Sequence, residues 1–240
     1  MALGRTWAVA LTGITGRLVE VEADVGRGLP GVSIVGMPDS AVMQSRERMR
    51  AAAANSGLAW PTGKVVLSLS PASLRKSGAG FDLALAAGAL TASGELPAAG
   101  FEGTVLLGEL ALDGRVRPVA GVLPAILAAR EAGLPRAIVP VENLAEARLV
   151  AGIDTAGVGS LRMLADWSRG LGDLVAHAPP AGDGDDDAHD LAEVHGQEDC
   201  RRSVEVAAAG GHALLLRGAP GTGKTMLARR LPGLLPDLAA

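Results

Sequence analysis

Eight residues near the C-terminal end, Gly218-Ala219-Pro220-Gly221-Thr222-Gly223-Lys224-Thr225, restrict what this chain can fold into more than any other segment. They match the pattern G-x-x-x-x-G-K-[ST] at every fixed position. Glycines let the backbone curl until its N–H groups converge on an anion, Lys224 supplies a positive charge for β- and γ-phosphates, and Thr225 offers a hydroxyl to a magnesium ion. The apolar run Ala213-Leu214-Leu215-Leu216 in front predicts a buried strand, and Met226 to Leu231 behind predicts a helix whose N-terminal dipole favours phosphate. Strand, glycine loop and helix in that order predict a site for ATP with Mg2+ on Gly218, Ala219, Pro220, Gly221, Thr222, Gly223, Lys224 and Thr225, with Thr225 toward the metal.

The loop lies about fifteen residues before Ala240. Nucleotide hydrolysis also needs an acidic residue for metal and water, and a polar group that senses the γ-phosphate. Both are expected beyond Ala240. The chain therefore reads as the first part of a longer ATPase, with no catalytic residue assigned within it.

A length of 240 residues has room for one or two domains. The formal net charge of −4 excludes a global field that would draw the chain to DNA or acidic membranes, though not a local basic face. An aromatic content of 2%, without Tyr, argues against single-strand binding on platforms of stacked rings. The lone Cys200 excludes an internal disulfide and suits a reducing cytosol; its expected role is a buried thiol in a helix. No apolar run approaches the ~18 residues of a membrane span, and the N-terminus lacks the layout of a secretory signal. A cytoplasmic protein without membrane contact is expected.

Strand and helix signals alternate over residues 1–170. In Leu18 to Val25, Val19, Val21, Ala23 and Val25 alternate with Glu20, Glu22 and Asp24, the period of a half-exposed strand. Val32 to Val35 predicts the next strand. Pro38-Asp39-Ser40 then starts a helix that runs to Ser56 and stops at Gly57, with Arg46, Glu47, Arg48 and Arg50 read as a solvated face; a nucleic-acid contact is the alternative. Lys64 to Leu69 is a strand, and Phe81 to Leu90 a small-residue helix ending near Gly94. Val105 to Leu112 and Arg115 to Val119 flank the hairpin signal Asp113-Gly114. Val122 to Ala132 reads as helix with Pro124 in its first turn, Ala137 to Val139 as strand, and Glu142 to Val150 as helix. The class is α/β, the N-terminal domain being α+β: a mixed sheet with packed helices.

Around Gly170 the pattern stops. Pro179-Pro180 and the run Gly182-Asp183-Gly184-Asp185-Asp186-Asp187 bury too little apolar area to offset ordering entropy, so residues 171–190 read as an acidic linker. A calcium loop is the sharper reading, but the terminal Glu it requires is missing at the right distance. Gln197 to Ala209 predicts a helix closing at Gly210-Gly211, and residues 191–240 read as the leading edge of a second α/β domain.

Several segments carry a more specific likeness. Gly28-Leu29-Pro30-Gly31, Val35-Gly36-Met37-Pro38-Asp39, Arg46-Glu47-Arg48, Ser68-Leu69-Ser70-Pro71-Ala72, Arg75 to Leu83 and Gly196-Gln197 resemble the ComM/YifB family of magnesium-chelatase-like AAA+ ATPases. The resemblance covers essentially the whole chain. It implies a Lon-protease-like domain over residues 1–170, followed by the first part of an AAA+ motor. It also implies a homo-oligomer, a hexamer in family members, that works on DNA in branch migration linked to competence. The metal-binding acid, the sensors and the arginine finger find no counterpart in these 240 residues. A magnesium-chelatase-type motor subunit is the nearest alternative, and an assembly or partner-docking module is the alternative of another class.

The Lon-like fold raises the question of proteolysis. The position expected for the serine nucleophile, after Lys76-Ser77-Gly78-Ala79, holds Gly80, and the position expected for its lysine holds Pro124. A dyad needs a hydroxyl and an amine in reach of each other, so no protease is expected, and Ser77 reads as a loop hydroxyl. Arg75, Lys76 and Asp82 remain open between a ligand, DNA or subunit contact and a basic loop with Asp82 capping or pairing. His177, His189, His195 and His212 lack the spacing of a metal site, and His212 is read as structural.

Overall fold

The computed structural model describes residues 3–177 and 190–236. The chain divides into two units, Met1–Ala181 and Gly182–Ala240.

The first unit is organised by a hairpin. Strand β1 (Gly4–Thr12) turns through Gly13-Ile14 into the antiparallel β2 (Thr15–Gly26). Gly13, at φ 60°, supplies the left-handed conformation that so short a turn requires. The other strands of the same sheet are β3 (Gly31–Val35), β4 (Lys64–Ser70), β5 (Thr104–Leu106), β8 (Arg136–Pro140) and β9 (Asp154–Val158). They complete a seven-stranded sheet of order β3-β4-β2-β1-β5-β8-β9. Only β2 runs against its neighbours; every other pairing is parallel. The expectation of a mixed sheet with packed helices holds.

Alternation along each strand divides the core between the two faces. Ala8, Ala10, Val19, Val21, Ala23, Leu106 and Ile138 enter one cluster; Val9, Val105, Ala137 and Val139 enter the other. Helices α1 (Ser40–Asn55), α2 (Asp82–Ala92) and α5 (Leu161–Ser168) contribute to the first. Helices α3 (Val122–Glu131) and α4 (Leu144–Ala147) contribute to the second. The second face stays partly open at β2, where Glu20 and Glu22 meet Arg5 at 3.6 and 3.3 Å.

Helix α2 is buried at all eleven positions. Being apolar all round, it must be enclosed on every side, and its alanines let it lie against β1 and β2. The approach is closest at Gly4, where a Cβ would strike the backbone of Gly88 and Ala92. Thr6 donates its hydroxyl to the Ala84 carbonyl at 2.8 Å, so the one buried polar side chain of β1 is satisfied.

Two expectations need correction. Val105 to Leu112 is not one strand: β5 ends at Leu106, and a separate ribbon follows from β6 (Glu109–Leu110) and β7 (Val116–Arg117) around the Asp113-Gly114 turn. The break falls at Gly108, at φ 153°, whose N–H bonds to Gly80 and whose carbonyl accepts from Leu83. Those bonds take the chain out of the sheet to dock the start of α2. The helix expected over Glu142 to Val150 is reduced to Leu144–Ala147, preceded by a 3-10 turn at Val141–Asn143. In that turn the Asn143 amide bonds both ways to the Val119 backbone, at 2.9 and 3.1 Å, and Glu146 accepts from the Leu123 N–H at 2.8 Å. That carboxylate caps α3, whose own N-cap, Gly121, has no side chain to do so.

Residues 171–177, read as linker, lie within the first unit. Val175 exchanges backbone hydrogen bonds with Gly157 at 2.8 and 2.9 Å, and Arg148 reaches the Ala176 carbonyl. Pro179-Pro180 and Gly182 to Asp187 lie outside the described residues.

Candidate nucleotide-binding site

In the second unit, α6 (Glu198–Gly210) and α7 (Lys224–Arg230) pack over a small core of Leu191, Val194, Val204 and Leu227. Arg230 fastens α7 to the entry segment, donating to the Asp190 carbonyl at 3.0 Å and to Glu193 at 3.1 Å. Leu216 packs on this core and leads into the glycine loop. The strand expected at Ala213 to Leu216 does not form, and Leu215 is 79% exposed. A strand is stable only when its N–H and C=O groups pair with a neighbour; among the described residues of this unit there is none to pair with.

The loop itself has the expected form. Gly221 and Gly223 hold φ of 83° and 80°, left-handed values that bring the backbone round in a tight curl. Gly223 ends the curl and α7 begins at Lys224. A Cβ on Gly223 would press on Met226 at 3.2 Å and Gln197 at 3.3 Å, so a side chain there would fill the cradle. The Lys224 ammonium folds back over the loop, donating to the carbonyls of Gly218 at 3.0 Å and Ala219 at 2.6 Å. Thr222 also donates to Ala219, at 2.9 Å. Two carbonyls gathered on one cation hold the curl closed without a counter-charge, and an anion would compete for that ammonium. Thr225 stands exposed in the first turn of α7.

Of the eight loop residues, Gly218, Gly221, Thr222, Gly223 and Lys224 line a cavity of about 570 Å3 together with Gln197, Cys200 and Leu216, whereas Ala219, Pro220 and Thr225 do not. Gln197 was legible only as part of a family-like dipeptide. Its left-handed backbone, φ 55°, turns it from the start of α6 toward Gly223, a placement that no local pattern encodes. Cys200 is half-buried at this cavity, not enclosed in a core. Among the described residues, no group of three His, Cys, Asp or Glu side chains could hold a metal, and no helix is long and apolar enough to cross a membrane.

In the first unit the polar cluster resolves differently from residue to residue. Asp82 does not cap its own helix. Its buried carboxylate accepts two bonds from Arg48, at 2.6 and 2.9 Å, one from the Leu110 N–H at 3.1 Å, and one from the Ser45 hydroxyl. Arg48 is therefore not part of a solvated face, and the hydrogen bond to Asp82 pushes its pKa further up. Lys76 is fully buried, with its ammonium on the carbonyls of Leu69, at 3.0 Å, and Pro71. Burial lowers its pKa. Arg75 stays exposed. A cavity of about 300 Å3 at Gly80 and Gly121 has Ser77 as its one hydroxyl and Glu109 as its one ionisable side chain. It contains no amine to activate Ser77.

Comparison with known proteins matches residues 21–143 to a family described as subunit ChlI of Mg-chelatase, and residues 190–240 to a second described as magnesium chelatase, subunit ChlI. The protein Rv2897c of Mycobacterium tuberculosis is 54% identical over 239 residues, covering 100% of this chain and 48% of the relative. YifB of Escherichia coli is 39% identical over 239 residues, covering 100% of this chain and 47% of that protein. Competence protein ComM of Haemophilus influenzae is 36% identical over 243 residues, covering 99% and 48%. The chain spans about half the length of the curated relatives it matches.

Proposed function

The chain belongs to the ComM/YifB magnesium-chelatase-like family, and from that premise we propose that it carries the phosphate grip of an ATP-driven, oligomeric AAA+ motor that acts on DNA in the cytoplasm. The carrying observation is the Lys224 ammonium poised over the carbonyls of Gly218 and Ala219 inside a curl made by two left-handed glycines. On this reading the Lon-like domain expected over residues 1–170 takes in the 171–177 segment that pairs with Gly157, the remainder of 171–190 is the linker, and 191–240 is the start of the motor domain.

Mg-ATP would supply a phosphoanhydride whose hydrolysis releases the energy for movement. The chain's own residues bind and orient. Lys224 leaves its two carbonyls and neutralises phosphate charge. The N–H groups of Gly221, Thr222 and Gly223 would serve as donors to phosphate; Pro220, which has none, stiffens the curl. Thr225, exposed in the first turn of α7, would offer its hydroxyl to the magnesium, and Gln197 borders the cradle at Gly223.

Titration calorimetry of Mg-ATP into the chain tests this grip. Binding should occur, and Lys224→Ala should weaken it about 10- to 100-fold, the worth of a charge-assisted contact. No heat of binding from the parent, or equal affinity in the variant, removes the reading.

Work on DNA is supported by the competence label of the Haemophilus relative. A chelatase-type motor is supported by the descriptions of the two matched families. ATP turnover of the whole protein should rise on adding DNA; turnover indifferent to DNA favours the second.

A further inference from the structure

At the end of the sheet where β2 finishes and β3 and β4 begin, two cavities share the ridge Trp60-Pro61-Thr62. One, of about 850 Å3, carries Arg27; the other, of about 470 Å3, carries Arg46 and Arg50, one turn apart on α1. None of the three guanidinium groups meets a carboxylate among the described residues, and Arg46 spends one donor on the Met43 carbonyl, at 3.0 Å. Two carboxylates face these cavities. Glu95 is held by Arg169 at 2.6 Å, leaving Glu47 against three cations. Trp60 is half-buried, packed on the core with part of the indole facing both cavities. Beside it β3 is the outermost strand, and its Val32 lines the smaller cavity.

We infer that this cleft binds single-stranded nucleic acid, with phosphates on Arg27, Arg46 and Arg50 and one base stacked on Trp60. Cations set on both sides of an accessible ring suit a strand whose bases are unpaired, because a duplex keeps its base faces inside the stack. The low aromatic content excludes a row of rings but not this single one. Of the five aromatic residues, Phe81 and Phe101 are buried in the core, and neither Trp7 nor Trp167 lines these cavities. The inference does not depend on nucleotide binding, since every residue it uses lies in the first unit.

Fluorescence anisotropy of a labelled oligothymidylate of roughly 12 nucleotides, matched to the site sizes of such grooves, tests it on the chain without ATP or magnesium. Binding should fall more than about tenfold in R46E/R50E, whose side chains are at the surface, and the slope of log K against log salt should lose about 1.4, or about 0.7 for each phosphate released. Trp60→Leu should cost about 5-fold or more, and Lys224→Ala nothing. The inference is overturned if R46E/R50E binds like the parent, if a duplex or a polyglutamate peptide of equal length binds as tightly, or if Lys224→Ala abolishes binding.

Discussion

Arg48 on α1 grips the buried carboxylate of Asp82, the first residue of α2, with two hydrogen bonds, Nε to Oδ2 at 2.6 Å and Nη2 to Oδ1 at 2.9 Å. The Asp82 side chain is 0% and that of Arg48 19% exposed, so neither is solvated as a surface pair would be. The fork joins two helices that share a core, while Leu110 and Ser45 complete the carboxylate's partners.

Removing one partner leaves an uncompensated charge inside the fold. Arg48→Met should destabilise the first unit by about 3–5 kcal/mol in urea unfolding. Arg48→Lys should recover only part of that, since an ammonium lacks the planar fork. Pairing Arg48→Met with Asp82→Asn should restore stability relative to Arg48→Met alone, because no buried charge is then left over. A double variant as unstable as the single one would show that packing, not charge, sets the cost.

Gly4 and Gly88 face each other across the β1–α2 contact but tolerate a methyl group differently. A Cβ at Gly4 meets backbone on α2, which has nowhere to move. A Cβ at Gly88 meets Ala23, Thr6 and Val21 at 3.5–3.6 Å, ordinary contact. Gly4→Ala should cost about 1–3 kcal/mol. Gly88→Ala should be neutral, or stabilising by up to about 1 kcal/mol, the helix preference of Ala over Gly. Thermal melts of the two variants check the contrast, and equal losses would refute it.

Lys76 gives stability a pH dependence with a definite sign. Its pKa in the folded chain is lowered from 10.5 by burial. Between the lowered value and 10.5 the unfolded chain therefore binds more protons, and stability from this group rises with pH. Below the folded pKa the full penalty of burying the ammonium is present. The stability of the parent minus that of Lys76→Met should increase as pH is raised toward 10.5. A flat difference across that window would mean that the carbonyls of Leu69 and Pro71 compensate the buried charge completely.

The sequence by itself determined whatever depends on neighbours along the chain. The glycine curl at Gly221 and Gly223, the helix start at Pro38-Asp39-Ser40, where Asp39 proves to be the cap, the β2 alternation and the Asp113-Gly114 turn were all legible, because each is a matter of φ, a local hydrogen bond or a two-residue period. Strand β1, the middle of the sheet, was less legible: Trp7 to Leu11 is an apolar run closed by the Gly13 turn, but Arg5 and Thr6 interrupt it on the N-terminal side. Its place is fixed by pairing with β2 on one side and β5 on the other. Only the tertiary structure decided that Arg48 faces Asp82, that Lys76 turns inward, that Gln197 reaches Gly223, and that Arg27 joins Arg46 and Arg50 around Trp60. Arg48 and Asp82 lie 34 residues apart along the chain, Gln197 and Gly223 26, and Arg27 and Arg46 19, while Lys76 owes its surroundings to another element. Their charges acquire a role only once packing removes water from one set and leaves it around another.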